Sequence, residues 1–374
     1  MMILLGPTHP RFQGGIVEYT HYLAAALKQA DVPLKVISFS RPYPKKWYQG
    51  SVTASLNLPP IVPELPLLDW LSPVSWIRTW LRIKAIDPSI LLVQWWTFFW
   101  ALPYMVVLVL VRLTTQTKIV IIVHNITDHE ASWWKWVLSY MVLWLGHGYI
   151  THASTMQQDL QRLFPHKETV MHLHPISQQG GAAPTKQRAQ QKLKVSSPVL
   201  LFFGIVRPYK GLDVLLQALV LVHKTMPSVQ LLIAGDFWGS EQVYRDTIKE
   251  LGIEDTVIIH NAFIPDVEVP WYMAAADVAV FPYLTATGTA STKLALRYNV
   301  PIIATRVGDM PDLFALGAVG TMVPSNNPAQ LSEAIIDFFK HKRSYTRAIQ
   351  TVSKQVTWSS LAQSVVGMLH TGHE

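Results

Sequence analysis

Three short stretches of the chain carry residue types that bind anions. In VRPYKGLDVLLQAL, Arg207 and Lys210 stand three residues apart, directly after the apolar run LLFFGI. An arginine fork and a lysine point charge so spaced can both reach a diphosphate, and Gly211 lets the chain enter the next helix closely. Two solvated charges on a surface turn are the plainer reading. In GPTHPRFQGGIVEYTHYL, Gly14 and Gly15 immediately precede a helical pattern, where backbone N–H groups can approach an anion with no Cβ in the way. That stretch is neither a dinucleotide fingerprint nor a P-loop, and an ordinary tight turn fits it equally well. In FPYLTATGTASTKLALRYNVPIIATRVGDMPD, small residues from Thr285 to Thr292 run into a helix. N–H groups at Thr289 and Ala290 could there hold phosphate oxygens, the alternative being a Ser/Thr-rich helix cap.

Such residues act together only if the fold brings them to one edge. MILLG, IVEYTHYLAAALKQA and LKVISF read as strand, helix and strand, a βαβ unit that implies a parallel sheet. Further strands are expected at 91–94, 119–123 and 149–151, and a helix at 133–145. Residues 178–195, dense in Gln, Gly, Ala and Lys and free of aromatics, read as a linker. Beyond it the alternation restarts with PVLLFFGIV and continues to AQLSEAIIDFFK. The expected fold is therefore α/β, two doubly wound Rossmann-like domains facing across a cleft, at 1–177 and 196–356. Ligands of such sheets bind outside the carboxyl ends of strands, where the anion-binding stretches fall.

Between Asp87 and Arg112 no residue is charged, a length sufficient to span a bilayer. Pro103, the polar Gln94 and Thr97 and the intervening aromatics favour instead a buried strand followed by a greasy helix starting near Pro103. Half of the 374 residues are hydrophobic and 15% are charged, which excludes a disordered or coiled-coil chain. The absence of cysteine excludes disulfides, thiolate nucleophiles and cysteine-ligated metals. The net charge of +7 is scattered, with no run of five Lys/Arg, so phosphorylated small molecules or an anionic membrane suit it better than nucleic acid. The opening MMILLGPTHPRF lacks a basic region before its apolar residues, so an intracellular, cytoplasmic location is expected rather than secretion.

The order of these segments resembles the retaining family-four glycosyltransferases of the GT-B fold over nearly the whole chain. The matching parts are the loop with Gly14 and Gly15, the strand end VQWWT, VHNITDHE, FGIVRPYKGLDVLL, LLIAG, FIPDVEVPWYMAAADVAVFPY and PIIATRVGDMPD. The resemblance implies a nucleotide-sugar donor, UDP- or GDP-linked, as substrate, no separate cofactor, and a glycan or lipid-linked acceptor. It places Gly14 and Gly15 beside the donor phosphates, makes Arg207 and Lys210 the pair that neutralises them, and makes His124 an active-site histidine. It further implies a C-terminal helix at about 357–374 packing back on the first domain, retention at the anomeric carbon and a front-face mechanism. No DxD-type metal site is evident, so metal-independent transfer is expected. Where the family commonly carries two glutamates for sugar and ribose hydroxyls, Ala286 and Leu294 stand here. A GT-B epimerase or phosphorylase-like enzyme and a catalytically inactive binding subunit are the alternatives. Eleven of the 14 tryptophans precede residue 145, four of them in WWKWVLSYMVLWL. Together with Lys45, Lys46, Arg78, Arg82 and Lys84 they suggest peripheral docking on the inner face of an anionic membrane, unless they form a Trp-rich core.

Overall fold

In the computed structural model of the chain, residues 1–12, 14–41, 58–61, 64–126, 133–176, 181–341 and 344–370 are described. Lys45 and Lys46 lie outside the described residues. Cα proximity divides the chain into two compact units, one containing Leu58–Leu173 with the residues from Met1 and the stretch from Thr357, the other His174–Val356.

The first unit alternates β1 (Met2–Leu5), α1 (Gly15–Gln29), β2 (Leu34–Phe39), β3 (Glu64–Leu68), α2 (Pro73–Ile86), β4 (Ile90–Trp95), α3 (Ala101–Thr114), β5 (Lys118–Val123), α4 (Trp133–Leu145), β6 (Gly148–Thr151), α5 (Ser154–Leu163) and β7 (Glu168–Met171). Its seven strands form one parallel sheet in the order β3-β2-β1-β4-β5-β6-β7. Helices cover both faces, so successive residues of one strand enter different cores. Ile3 and Leu5 join α2, α3 and α4, whereas Met2 and Leu4 meet α1. Runs such as ILLV and IVIIV are buried on both sides and for that reason show no alternation.

The second unit begins with α6 (Lys186–Leu193) and continues through β8 (Val199–Phe203), α7 (Leu212–Thr225), β9 (Gln230–Ala234), α8 (Glu241–Glu250), β10 (Val257–His260), α9 (Val269–Ala275), β11 (Val278–Phe281), α10 (Ala290–Arg297), β12 (Ile302–Thr305), α11 (Met310–Leu316), β13 (Gly320–Val323), α12 (Pro328–His341) and α13 (Thr346–Gln355). Its six parallel strands run β10-β9-β8-β11-β12-β13. The final helix, α14 (Trp358–His370), packs on α1 of the first unit, where Trp358 stacks on Tyr22 at 5.4 Å.

One stretch differs from the sequence reading. Of the expected linker 178–195, residues 186–193 form α6, which packs on α9: Gln190 Nε2 donates to the Ala275 carbonyl at 3.1 Å, Lys192 pairs with Glu268 at 2.6 Å and Ala189 is fully buried. A polar helix with one apolar contact stripe carries little hydrophobic signal. The uncharged stretch resolves into β4, a 3-10 turn at Phe98–Trp100 capped by Thr97, and α3. Pro103 sits in the first turn of α3, where its missing N–H costs no helical hydrogen bond. Among the described residues no helix is long and apolar enough to cross a membrane.

Candidate functional site

Each unit places one cluster of polar side chains at the carboxyl ends of its strands. In the first unit His124 directly follows β5, its N–H bonded to the Trp95 carbonyl at the end of β4. A chain of hydrogen bonds fixes its tautomer. The Thr20 hydroxyl donates to the Ile16 carbonyl at 2.9 Å, so its oxygen accepts from Gln94 Nε2 at 2.8 Å. Gln94 Oε1 therefore faces His124 Nε2 at 3.3 Å and must accept a proton from it. The neutral ring then holds its lone pair on Nδ1, which is the proton-accepting atom. Tyr104 donates to the Gln94 carbonyl at 3.0 Å, and the buried rings of Tyr19 and His152 lie 4.6 and 5.3 Å from His124. The sequence reading did not single out Tyr19, Gln94 and His152 as site residues. Gln94, a polar residue at the end of an apolar strand, was the signal available.

Gly14 caps α1 with φ +101°, a conformation that favours glycine, and its carbonyl accepts from Val17 N at 3.0 Å. Gly15 is exposed and a side chain there would meet nothing within 4 Å. The N–H groups of Val17 and Glu18 are both taken by the Gly14 carbonyl, and a Cβ at Gly15 would meet only open space.

In the second unit the two stretches expected to bind anions converge. Arg207 leads into a short turn, Pro208–Lys210, ended by Gly211 at φ +66°. A Cβ at Gly211 would lie 2.1 Å from the Pro282 carbonyl oxygen, so glycine is what allows this turn to press on the end of β11. The Leu284 N–H donates to the Tyr209 carbonyl at 2.8 Å, closing the same contact. The Arg207 guanidinium lies over the rings of Tyr209 and Trp238 at 5.7 and 5.4 Å. Lys210 is only 8% exposed, its ammonium 5.5 Å from the centre of the Tyr283 ring. At Gly204, the residue after β8, a Cβ would lie 3.3 Å from Lys210 Nζ and 3.0 Å from Ser291 Oγ, so that glycine leaves room for both. Lys210 thus faces the first turn of α10. Burial, with a smaller contribution from Arg207, pulls the Lys210 pKa down to about 8. Among the described residues it has no carboxylate partner.

The structure gives the two small residues at the start of α10 different places. Ala290 is the exposed first residue of the helix. Thr289 is buried, and its N–H points to Asp309 Oδ2 at 3.4 Å while its hydroxyl donates to Asp309 Oδ1 at 2.8 Å. Its N–H is therefore committed within the protein, and the expectation that it holds a phosphate oxygen is corrected. Asp309 also pairs with Lys293, both fully buried, with Thr292 bonded to Thr289 beside them. This network joins α10 to the turn after β12. A lysine in the helical pattern ASTKLALR reads as a surface residue, and its partner is 16 positions away, so the pair left no signal in the sequence. Ala286 lies against Gly308 and Leu294 is buried. Among the described residues no group of three His, Asp or Glu is arranged to hold a metal ion.

Two parallel-sheet α/β units in succession are the architecture of the GT-B glycosyltransferases. Two family descriptions match, Glycosyltransferase Family 4 over residues 13–175 and Glycosyl transferases group 1 over residues 184–355. The chain belongs to the family-four glycosyltransferases of the GT-B fold. It is 29% identical over 185 residues to the D-inositol 3-phosphate glycosyltransferase of Segniliparus rotundus, a match covering 48% of this chain and 41% of the relative. The protein of the same name from Mycolicibacterium vanbaalenii is 31% identical over 163 residues, covering 40% and 35%. The chain thus spans less than half the length of these curated relatives. Among solved structures, HepE of Anabaena in complex with UDP superposes with a TM-score of 0.73 at 16% identity, covering 99% of this chain and 100% of that one. Sucrose-phosphate synthase from Thermosynechococcus elongatus gives 0.69 at 15% identity, covering 98% and 97%.

Proposed function

We propose that the protein transfers a sugar from a nucleoside-diphosphate sugar to a glycan or lipid-linked acceptor, with retention at the anomeric carbon and with no metal ion. Lys210 carries this reading. A buried ammonium with no carboxylate partner is costly in the free protein and is stabilised by an anionic ligand. Arg207 and the N–H groups opening α10 at Ala290 add donors to the same anion. A leaving diphosphate gains negative charge as the glycosidic bond breaks, and preorganised cations stabilise that transition state. The acceptor oxygen bonds to the anomeric carbon on the face the diphosphate leaves, the carbon–diphosphate bond breaks, and the acceptor proton passes to the departing phosphate oxygen. His124 serves the reacting sugars, and Gly14 and Gly15 at the start of α1 serve the donor phosphates. HepE, whose fold the chain shares, was solved with UDP and with UDP-glucose, which supports UDP as the first nucleotide to try.

A thermal-shift screen against UDP, GDP, ADP and their sugars tests the donor class, since a ligand at about 100 times its Kd stabilises the folded state by about 2.7 kcal/mol. Stabilisation by one nucleotide and turnover of its sugar in excess EDTA are expected. The replacements at Ala286 and Leu294 favour a second reading, an inactive binding subunit, which turnover of any sugar nucleotide excludes.

A further inference from the structure

The helices on one side of the first unit are apolar where a folded chain is ordinarily polar. Twelve of the twenty exposed large hydrophobics among the described residues lie on α2, α3 and α4. Leu113 is 75% exposed and Trp133 80%, and Trp134, Trp136 and Trp144 are also exposed. The packing explains what is left over: α3 lies against both α2 and α4, and α4 turns Val142, Leu143 and Leu145 into the core while its tryptophans face away from it. Between the three helices runs a groove of about 740 Å3, lined by Ile77, Met105, Val109, Met141 and Trp144 among others, with no charged residue in its wall. The Trp-rich segment is therefore surface rather than core.

The same face has one sign of charge. No Asp or Glu occurs in α2, α3 or α4, which carry Arg78, Arg82, Lys84, Arg112 and Lys135. Arg78, Arg82, Lys84 and Arg112 are exposed and have no carboxylate partner among the described residues. At one end of α4, Arg112 donates to the Leu145 carbonyl at 3.1 Å and lies 5.5 Å over the Trp144 ring, while Lys167 donates to the Trp144 carbonyl at 2.5 Å. Burial, with smaller contributions from Arg112, Lys167 and Lys118, holds the His147 pKa down at about 4.

We propose that the α2–α3–α4 face docks on an anionic phospholipid bilayer, with the tryptophans of α4 at headgroup depth, the unpaired cations on lipid phosphates and an acyl chain in the groove. Tryptophan favours that interface, and each cation near an anionic surface adds attraction that salt screens. Charge decides against a second copy of the chain. A two-fold interface sets a patch against itself, and here it would face unpaired arginines with arginines. The inference does not depend on sugar transfer, because the Arg207 cluster belongs to the other unit.

Vesicle flotation tests it on the full chain. Binding is expected to phosphatidylcholine vesicles containing phosphatidylglycerol, to be far weaker on phosphatidylcholine alone, and to fall with added salt. R78S/R82S should lower partitioning by about thirty-fold, at roughly five-fold per cation. W133S/W144S should lose binding even at low salt, and R207A should bind like the wild type. These positions are exposed, so the folds should survive, and the salt dependence of the wild type is informative by itself. Absence of binding to either vesicle, equal binding to both, or a lipid-free dimer abolished by W133S/W144S would overturn the proposal.

Discussion

After β5 a chain of hydrogen bonds runs from the half-buried His124 through the buried Gln94 and Thr20 to the Ile16 carbonyl. After β8 a buried ammonium stands beside a guanidinium and has no carboxylate partner. Both clusters sit at strand ends of parallel sheets with similar connections, so topology alone does not decide what a site does. A closed hydrogen-bond chain orients a group and fixes where its proton sits. A cation left uncompensated lowers stability and reserves its charge for a ligand.

The second unit contains its own control for that contrast, because Lys293 is as buried as Lys210 but paired with Asp309. Breaking the pair with Lys293→Met or Asp309→Asn should cost about 3–5 kcal/mol, read from denaturant unfolding, whereas K293M/D309L should recover most of it. Lys210→Met should do the opposite. Its pKa is lowered in the folded state, so the folded chain binds fewer protons than the unfolded one between about 8 and 10.5, and stability rises with pH across that window. Below about 8 the full penalty applies, about 3 kcal/mol for a shift of this size. Replacement by Met should therefore stabilise the protein at pH 7; a loss of stability there would break the distinction between the two lysines.

Activity should divide along the same line. Arg207→Ala and Lys210→Ala are each expected to lower turnover on the order of 10²-fold, as when a transition-state charge contact is removed. His124→Ala should lower kcat on a similar scale with nucleotide affinity nearly unchanged. Gln94→Met, which frees the ring without removing it, should have a smaller effect, about tenfold. Normal kinetics for His124→Ala in a folded protein would reduce the β5 cluster to packing.

The sequence made one of these clusters far more legible than the other. Arg207, Lys210 and Gly211 are consecutive or nearly so, and a strand end next to a helix start is visible in the alternation of apolar runs. The His124 cluster draws on α1, β4, β5 and the residue after β6, segments whose spatial order does not follow their order in the chain. Its members reveal themselves only once the sheet is assembled. Local pattern likewise missed β3, where Pro66 interrupts the apolar run. As an edge strand paired with β2 alone, it tolerates the missing donor. Thr289 was misassigned for a related reason: the N–H groups of a helix start look open until the side chain that takes one, Asp309, is folded beside it.

The contrast depends above all on Lys210 holding its charge for a phosphate, and nucleotide affinity as a function of pH reads that charge directly. Calorimetric titration of the wild type and of Lys210→Met with the nucleoside diphosphate selected by thermal shift, between about pH 7 and 9.5, should show two profiles. Wild-type affinity should weaken as pH rises through about 8, by up to tenfold per unit, as the free-state ammonium is lost. The variant should bind more weakly at pH 7 and change little with pH over that range. A flat wild-type profile, or a Lys210→Met protein that binds as tightly as the wild type at pH 7, would contradict the assignment.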